Sequence, residues 1–478
     1  MVAVSMGGWR NGARRAFALS TAAWLAGCAS GTLPHDVPEP ATPAGWLQSP
    51  PADAAPDAAP PDAAWWQHFG SAELDALVAQ AQRQSLDLAA SQARVRQAQA
   101  AAQAAGAALL PTLEGRLDAQ REDRLGSSAA EVEGTRFGAA LAASYEVDFW
   151  GGNRAARDAG LAALQASRFD RDTVRLTLTA AVASAWLDAV AARERLAIAQ
   201  RNLQSAQQVL AIVESRRRAG AAVALEVAQQ RGLVAAQRRA LAAVRQQGED
   251  ARATVALLLG QMATVALQAD SLQPVALPAV GLGMPSELLT RRPDIARAQA
   301  RLQAADANVT VARAAMLPSV RLGAGLASGG ERWRAVLDDP VYSVAAGLVA
   351  PIFDAGRLAA GHALAQARRE ELLADYRAAI VAAFDDVARA LNAMAGAQAQ
   401  ATAQAEELQQ AQQALGLAEA RYRAGAEPLL TLLDAQRTLY AAQDLAVQLR
   451  LRQLQSGVAL YRALGGGWAP AVDELASR

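Results

Sequence analysis

The chain has 478 residues, its 46 cationic side chains (every one an arginine) balance 46 acidic ones, and it carries three histidines and one cysteine. Neutrality removes the long-range attraction on which nucleic-acid binding depends. Scattered His35, His68 and His362 with a lone Cys28 exclude an internal disulfide and leave too few soft ligands for a metal centre.

Arg10, Arg14 and Arg15 form a basic start, Ala16 to Leu25 a short apolar run, and the segment ends "LAGC" at Cys28. This reads as a signal peptide over 1–27, too short in its apolar part to span a bilayer. Small residues before the cysteine resemble the bacterial lipobox, which implies cleavage before Cys28 and a covalent diacylglycerol or palmitate on its thiol. Ala29 beside it favours the outer over the inner membrane under that resemblance. One acyl chain binds a membrane only marginally, so a second membrane element is expected. Residues 28–64 are Ala, Pro and Asp in short runs, a composition for an extended tether.

The rest is one unit written twice, over 65–266 and 286–467, with a proline-containing linker at 267–285 and a tail at 468–478. Asp87 and Asp294, Pro111 and Pro318, Arg154 and Arg357, Gly220 and Gly425, and Gly260 and Gly465 recur at a near-constant offset. Each unit begins with a helix, the first over Ser71 to Ala108. From Thr112 the period changes to two: Leu113, Leu117 and Ala119 alternate with Glu114, Arg116, Asp118 and Gln120. The alternation continues through Phe137, Ala139, Leu141, Ala143, Tyr145, Val147 and Phe149. The second unit repeats it with Val320, Leu322, Ala324 and Leu326, then with Tyr342, Val344, Ala346, Leu348 and Ile352.

After each strand pair comes a helix of unusual length, the first from Asn153 to Arg218, without proline. Val182, Ala189, Leu196, Leu203 and Leu210 recur every seven residues, with Ala185, Ala192, Ala199, Ala206 and Val213 three residues behind them. Ile380, Val387, Met394, Ala401, Leu408, Leu415 and Tyr422 repeat the interval in the second unit. Sevens predict a coiled coil, and an alanine seam predicts close backbone approach. Each helix turns back at "RAG", Arg218 to Gly220 and Arg423 to Gly425. Glycine suits a left-handed cap there, and arginine suits a helix C-terminus.

Four strands are too few to close a membrane barrel, and hydrocarbon tolerates no open sheet edge. Other copies of the chain must complete it. The alternating strands of about ten residues have the length a tilted membrane strand needs, and they supply the second membrane element.

The segments "MPSELLTRRPDIARAQARLQAADANVTVARAAMLPSV" from Met284 and "RYRAGAEPLLTLLDAQRTLY" from Arg421, supported by "YEVDFWGGNR" and "APIFDAGR", resemble the TolC-like outer-membrane efflux proteins. The resemblance is in particular to their lipoprotein (NodT-type) branch, and it runs from Cys28 to about Leu464. It implies an α+β membrane protein in which four strands per chain contribute to a trimeric twelve-stranded β-barrel, continued by a coiled-coil helical barrel. It further implies a homotrimer held in outer-membrane lipid, serving a periplasmic membrane-fusion adaptor and an inner-membrane resistance-nodulation-division pump. The alternatives are a protein-secretion duct on the same scaffold and a non-conducting structural coiled coil. No triad, phosphate loop or paired metal ligands point to an enzyme, and no cofactor other than the acyl group is implied.

Under this resemblance Gly151, Gly152 and Gly356 mark where the chain passes from barrel to tube. The tips at Arg218, Gly220, Arg423 and Gly425 meet the adaptor. Leu430, Asp434 and Arg437, spaced four and three apart on one helical face, fall at the closed periplasmic end, with Arg421 and Tyr422 latching neighbouring helices. A trimer would make Asp434 a ring of like charge. The first unit has Glu226 and Ala228 at that place, so one constriction per chain is expected.

Overall fold

The computed structural model describes residues 45–46, 61–122 and 134–469. The signal segment, Cys28, most of the tether and nearly all of the tail lie outside them. In chain order the elements are α1 (Ala72–Gln84), α2 (Leu86–Ala107), β1 (Thr112–Glu122), β2 (Gly134–Val147), α3 (Gly152–Arg218), α4 (Ala224–Leu258), α5 (Pro293–Ala314), β3 (Ser319–Gly330), β4 (Val341–Val349), α6 (Arg357–Arg423) and α7 (Leu429–Ala463).

The strands form one antiparallel sheet in the order β1-β2-β3-β4. Its register aligns the alternation of all four: Leu117 faces Ala139, Leu141 faces Leu326, and Leu326 faces Tyr342. Side chains of paired residues share a face, so Leu113, Leu117, Leu141, Tyr145, Leu322, Leu326, Tyr342, Val344 and Leu348 lie on one side. The other side carries Glu114, Arg116, Asp118, Glu146 and Arg321 among many glycines, alanines and serines. Asp118 reaches over Gly138, where a Cβ would stand 2.8 Å from its Oδ1. Among the described residues, β1 and β4 each have one edge unpaired.

Two expected strand residues fall outside the ladder. Phe149 lies past the end of β2 with its ring against Trp150, whose indole N–H donates to the Pro318 carbonyl at 2.7 Å. Ile352 lies past β4, which stops at Val349 ahead of Pro351, a residue with no N–H for the ladder. The first helix is likewise divided, because Ser85 adopts an extended backbone between α1 and α2. Gly260 packs at that break, and a Cβ there would stand 2.8 Å from the Gln84 carbonyl oxygen.

α3 and α6 each run 67 residues, about 100 Å at 1.5 Å per residue, and α4 and α7 return for 35 residues each. The small-residue seam of α3 is buried throughout, at Ala185, Ala192, Ala199, Ala206 and Val213. Its companion seam is buried at Val182 and Ala189 but only half-buried at Leu196, Leu203 and Leu210. The single chain therefore uses the alanine face internally and leaves leucine area for further helices.

The main core forms a belt part-way along the helices. Trp65 stacks on Tyr461 with ring centroids 5.1 Å apart, beside Phe69, Trp186 and Leu74. Burial, with Asp62 nearby, pushes the Tyr461 hydroxyl up to about 12. The linker is tied to this belt by polar bonds: Glu73 accepts from the Gln268 and Ala269 amides and from the Trp186 indole, and Arg193 donates to the Leu267 and Gln268 carbonyls. Trp46 docks here too, its indole donating to the Gly283 carbonyl at 3.0 Å and its ring meeting Phe384.

The "RRPD" motif has a structural explanation in this belt. Arg292, 8% exposed, pairs with Asp294 at 2.7 Å and Asp386 at 3.0 Å and donates to the Ala463 carbonyl, joining α5, α6 and the end of α7. Burial alone would raise the Asp294 carboxyl, but the hydrogen bond and charge of Arg292 outweigh it and hold it below the usual range. Its contribution is therefore complete above the unfolded value of about 3.9 and disappears as the pH falls through the lower folded value. Arg292→Ala, which strands two carboxylates, should cost about 3 kcal/mol. Thermal unfolding of the detergent-solubilised protein from pH 7 to pH 3 checks both statements: the parent should lose stability on acidification more steeply than the variant.

Candidate functional site

At the first strand-to-helix junction the chain leaves β2 and enters α3 through Gly151, whose φ of 74° is left-handed. Asp148 organises the turn: its carboxylate accepts from the Asn153 amide at 2.9 Å, the Arg154 amide at 3.0 Å and the Arg154 guanidinium at 3.0 Å. These are N-terminal donors that the helix itself cannot satisfy. Burial pushes the Asp148 carboxyl up, and these hydrogen bonds, with the charge of Arg154, reverse the shift. At the second junction Gly356 has a φ of 82°, and Asp354 accepts from the amides of Gly356 at 3.0 Å and Leu358 at 2.9 Å. Gly152 has a different reason from its neighbour. It is helical, and a Cβ there would stand 2.9 Å from the Ala314 Cβ, so it permits close approach of α3 to α5.

At the far ends both "RAG" turns close identically. Gly220 (φ 75°) donates to the Arg217 carbonyl and Ala221 to that of Arg216, while Gly425 (φ 76°) donates to Tyr422 and Ala426 to Arg421. This is a Schellman cap in each copy. Neither glycine has an atom within 4 Å of its Cβ position.

Arginines around these caps divide by role. Arg216 crosses from the first hairpin to the second, donating to the Tyr422 carbonyl at 2.7 Å with its guanidinium 4.5 Å from the Tyr422 ring centroid. Tyr422 is 2% exposed, and its hydroxyl has no partner among the described residues. Burial raises the hydroxyl's pKa, Arg216 opposes the shift and Glu226 adds to it. Arg421 pairs with Glu427 at 3.0 Å and Arg423 with Glu419 at 3.6 Å, and Arg218 is exposed.

Leu430, Asp434 and Arg437 share one face of α7, all exposed, Leu430 by 64%. On the opposite face Leu429, Leu432, Leu433 and Gln436 are buried. Asp434 and Arg437 form no ion pair with each other or with another described residue. Nearby, the buried Gln230 amide donates to the Ala206 backbone carbonyl at 2.9 Å and meets the Gln436 side-chain Oε1 at 3.5 Å. The structure thus gathers the expected latch residue Tyr422 with Arg216 at the hairpin tips, and leaves the Leu430, Asp434 and Arg437 face without ion-pair partners among the described residues.

The family model described as "Outer membrane efflux protein" matches the chain twice, over residues 77–261 and 284–466. The chain belongs to the outer membrane efflux protein family. It is 52% identical over 437 residues to the pyoverdine export outer membrane protein OpmQ of Pseudomonas putida, covering 90% of this chain and 92% of that protein. It is 32% identical over 420 residues to the cation efflux system protein CusC of Escherichia coli O6:H1, covering 85% and 89%. Among solved structures, the outer-membrane channel OprN matches with a TM-score of 0.82 and 28% identity, covering 93% of this chain and all of that one. The protein is an outer-membrane efflux channel in which three chains of four strands complete the barrel and the helices continue as a periplasmic tube, working with an adaptor and an inner-membrane pump.

The geometry separates the glycines experimentally. A side chain at Gly425 strains only the left-handed backbone, at about 1 kcal/mol, whereas one at Gly152 must displace α5. Gly425→Leu should leave trimer yield and melting nearly unchanged, and Gly152→Leu should reduce both, as read by size-exclusion chromatography and thermal unfolding of purified protein.

Proposed function

We propose that this channel exports a secreted small molecule of the pyoverdine kind. The observation that carries the proposal is the 52% identity to a pyoverdine exporter along nine-tenths of the chain, against 32% to a cation efflux protein of similar coverage. The experiment is complementation of a Pseudomonas putida strain lacking its pyoverdine-export channel. Restored pyoverdine in the medium, with none retained in the periplasm, is expected; unchanged retention beside restored resistance to a toxic compound would assign the channel to drug efflux instead.

In this reading Leu430, Asp434 and Arg437 narrow the periplasmic end, with Arg421 and Tyr422 holding the adjacent hairpins. Support comes from the exposed face on α7, without ion pairs among the described residues, and from the Arg216 contact to Tyr422, which packs with the buried Leu429, Leu432 and Leu433 of the same helix. The tips at Arg218, Gly220, Arg423 and Gly425 present open caps to the adaptor, and Cys28 carries the acyl anchor, detectable as added mass on the mature N-terminal peptide. Three Asp434 carboxylates around a pore attract cations and repel anions. Asp434→Ala should therefore raise single-channel conductance in planar bilayers and weaken cation preference while the trimer persists. An intact trimer with unchanged conductance and selectivity would remove Asp434 from the constriction.

A further inference from the structure

The free edges of β1 and β4 must be satisfied by neighbouring copies, and the internal repeat contains the information that sets how. We infer that β4 pairs antiparallel with β1 of the next chain in a single register: Leu348 opposite Leu117 of the partner subunit, Ala346 opposite Ala119 of the partner subunit, and Gly347 opposite Asp118 of the partner subunit. The inference rests on the trimeric channel reading and goes beyond it by fixing the seam residue by residue.

The two hairpins are equivalent over the nine pairs that the second one contains. Thr112 faces Ser144 in the first, and Ser319 faces Val349 in the second. Laying one on the other carries Thr112 onto Ser319 and Ser144 onto Val349, and the match holds along the strands, since Leu117–Ala139 then falls on Ala324–Val344, a pair the second hairpin contains. Within the chain the hairpins are joined by β2 and β3, with Ala143 facing Ala324. In a closed ring of alternating hairpins, β4 meets the next β1 as β2 meets β3. The same mapping turns Ala143 into Leu348 and Ala324 into Leu117, which gives the register stated.

Two features that did not enter the mapping agree with it. The first is facing. Leu348 and Ala346 lie on the apolar side of β4, Leu117 and Ala119 on the apolar side of β1, and the register sets like against like; a slip of one residue would invert every side chain across the seam. The second is space on the lumen side. Asp118 already reaches over Gly138, its Oδ1 2.8 Å from where a Cβ would stand. The register puts Gly347, whose Cβ position is clear of other atoms, on the other flank. Asp118 then sits between two glycines. A slip of two residues keeps the facing but sets Asp118 beside Ala345 or Val349 instead.

Paired side chains across an antiparallel ladder lie close enough to bridge by a disulfide, so the test uses full-length chains with two introduced cysteines, oxidised in the outer membrane and separated under denaturing conditions. Leu117→Cys with Leu348→Cys should give a covalent trimer. Ala143→Cys with Ala324→Cys, the equivalent pair inside one chain, should close without raising the mass. Each single-cysteine variant should stay monomeric, which controls for Cys28. The slipped pairs, Leu117→Cys with Ala346→Cys and Ala119→Cys with Leu348→Cys, should crosslink poorly. Preferential crosslinking of a slipped pair would overturn the register and leave the trimer standing. If the internal pair closes and no pair crosslinks between chains in a protein that is trimeric on native gels, the direct joining of β4 to β1 is overturned. If the protein is not trimeric at all, the channel reading falls as well.

Discussion

Each outer strand of the four-stranded sheet presents a row of backbone N–H and C=O groups with no partner strand among the described residues. In hydrocarbon there is no water to take them up, and each unsatisfied group costs several kcal/mol. That constraint orders the rest of the molecule. The sheet cannot persist in a membrane as a monomer, so the chain folds as one third of a barrel. A barrel made this way delivers two strand-to-helix junctions per chain to its periplasmic rim, at Gly151 and Gly356. The two aspartates that take up the first helical amides, Asp148 and Asp354, let long helices start at that rim without stranded donors.

Below the rim the packing problem changes from hydrogen bonds to area. Helices of about 100 Å cannot rely on intrinsic propensity and must bury one face along their length. The alanine seam of α3 does so within the chain, while Leu196, Leu203 and Leu210 keep area for other helices. The belt around Trp65, Tyr461 and Arg292 is where the packing is deepest and where the linker, the N-terminal Trp46 and the ends of α4 and α7 converge. It is the collar from which both hairpins extend.

Much of this was legible in the sequence because it is written in local periods. Alternation by twos located the strands and their apolar side, and repetition by sevens located the seams. What escaped was set by tertiary contact. Three consecutive arginines stand before Gly220, and nothing local says that Arg216 is the one that reaches Tyr422. Gly151 and Gly152 read alike, yet one serves a left-handed backbone and the other the approach of Ala314. Ser85 gave no sign of the break that Gly260 brings against it, and Pro351 was a signal for excluding Ile352 from β4. The cap from Asp148 was hidden by its distance from the helix it serves, although an aspartate shortly before glycine at both junctions, in "DFWGG" and "DAG", was a usable clue.

Two buried amides determine how the hairpins can respond to force. Gln230 on α4 is bonded to the Ala206 carbonyl on α3, and Gln404 on α6 is bonded at 3.0 Å to the Ala442 carbonyl on α7. Each is a staple from a side chain of one arm to the backbone of the other, at a buried position where breaking it strands a polar group. Sliding one arm along the other would break these bonds, while swinging a whole hairpin from the collar would keep them. A push at a tip is therefore carried upward as the tilt of a stiff rod and not dissipated by the two arms telescoping past each other.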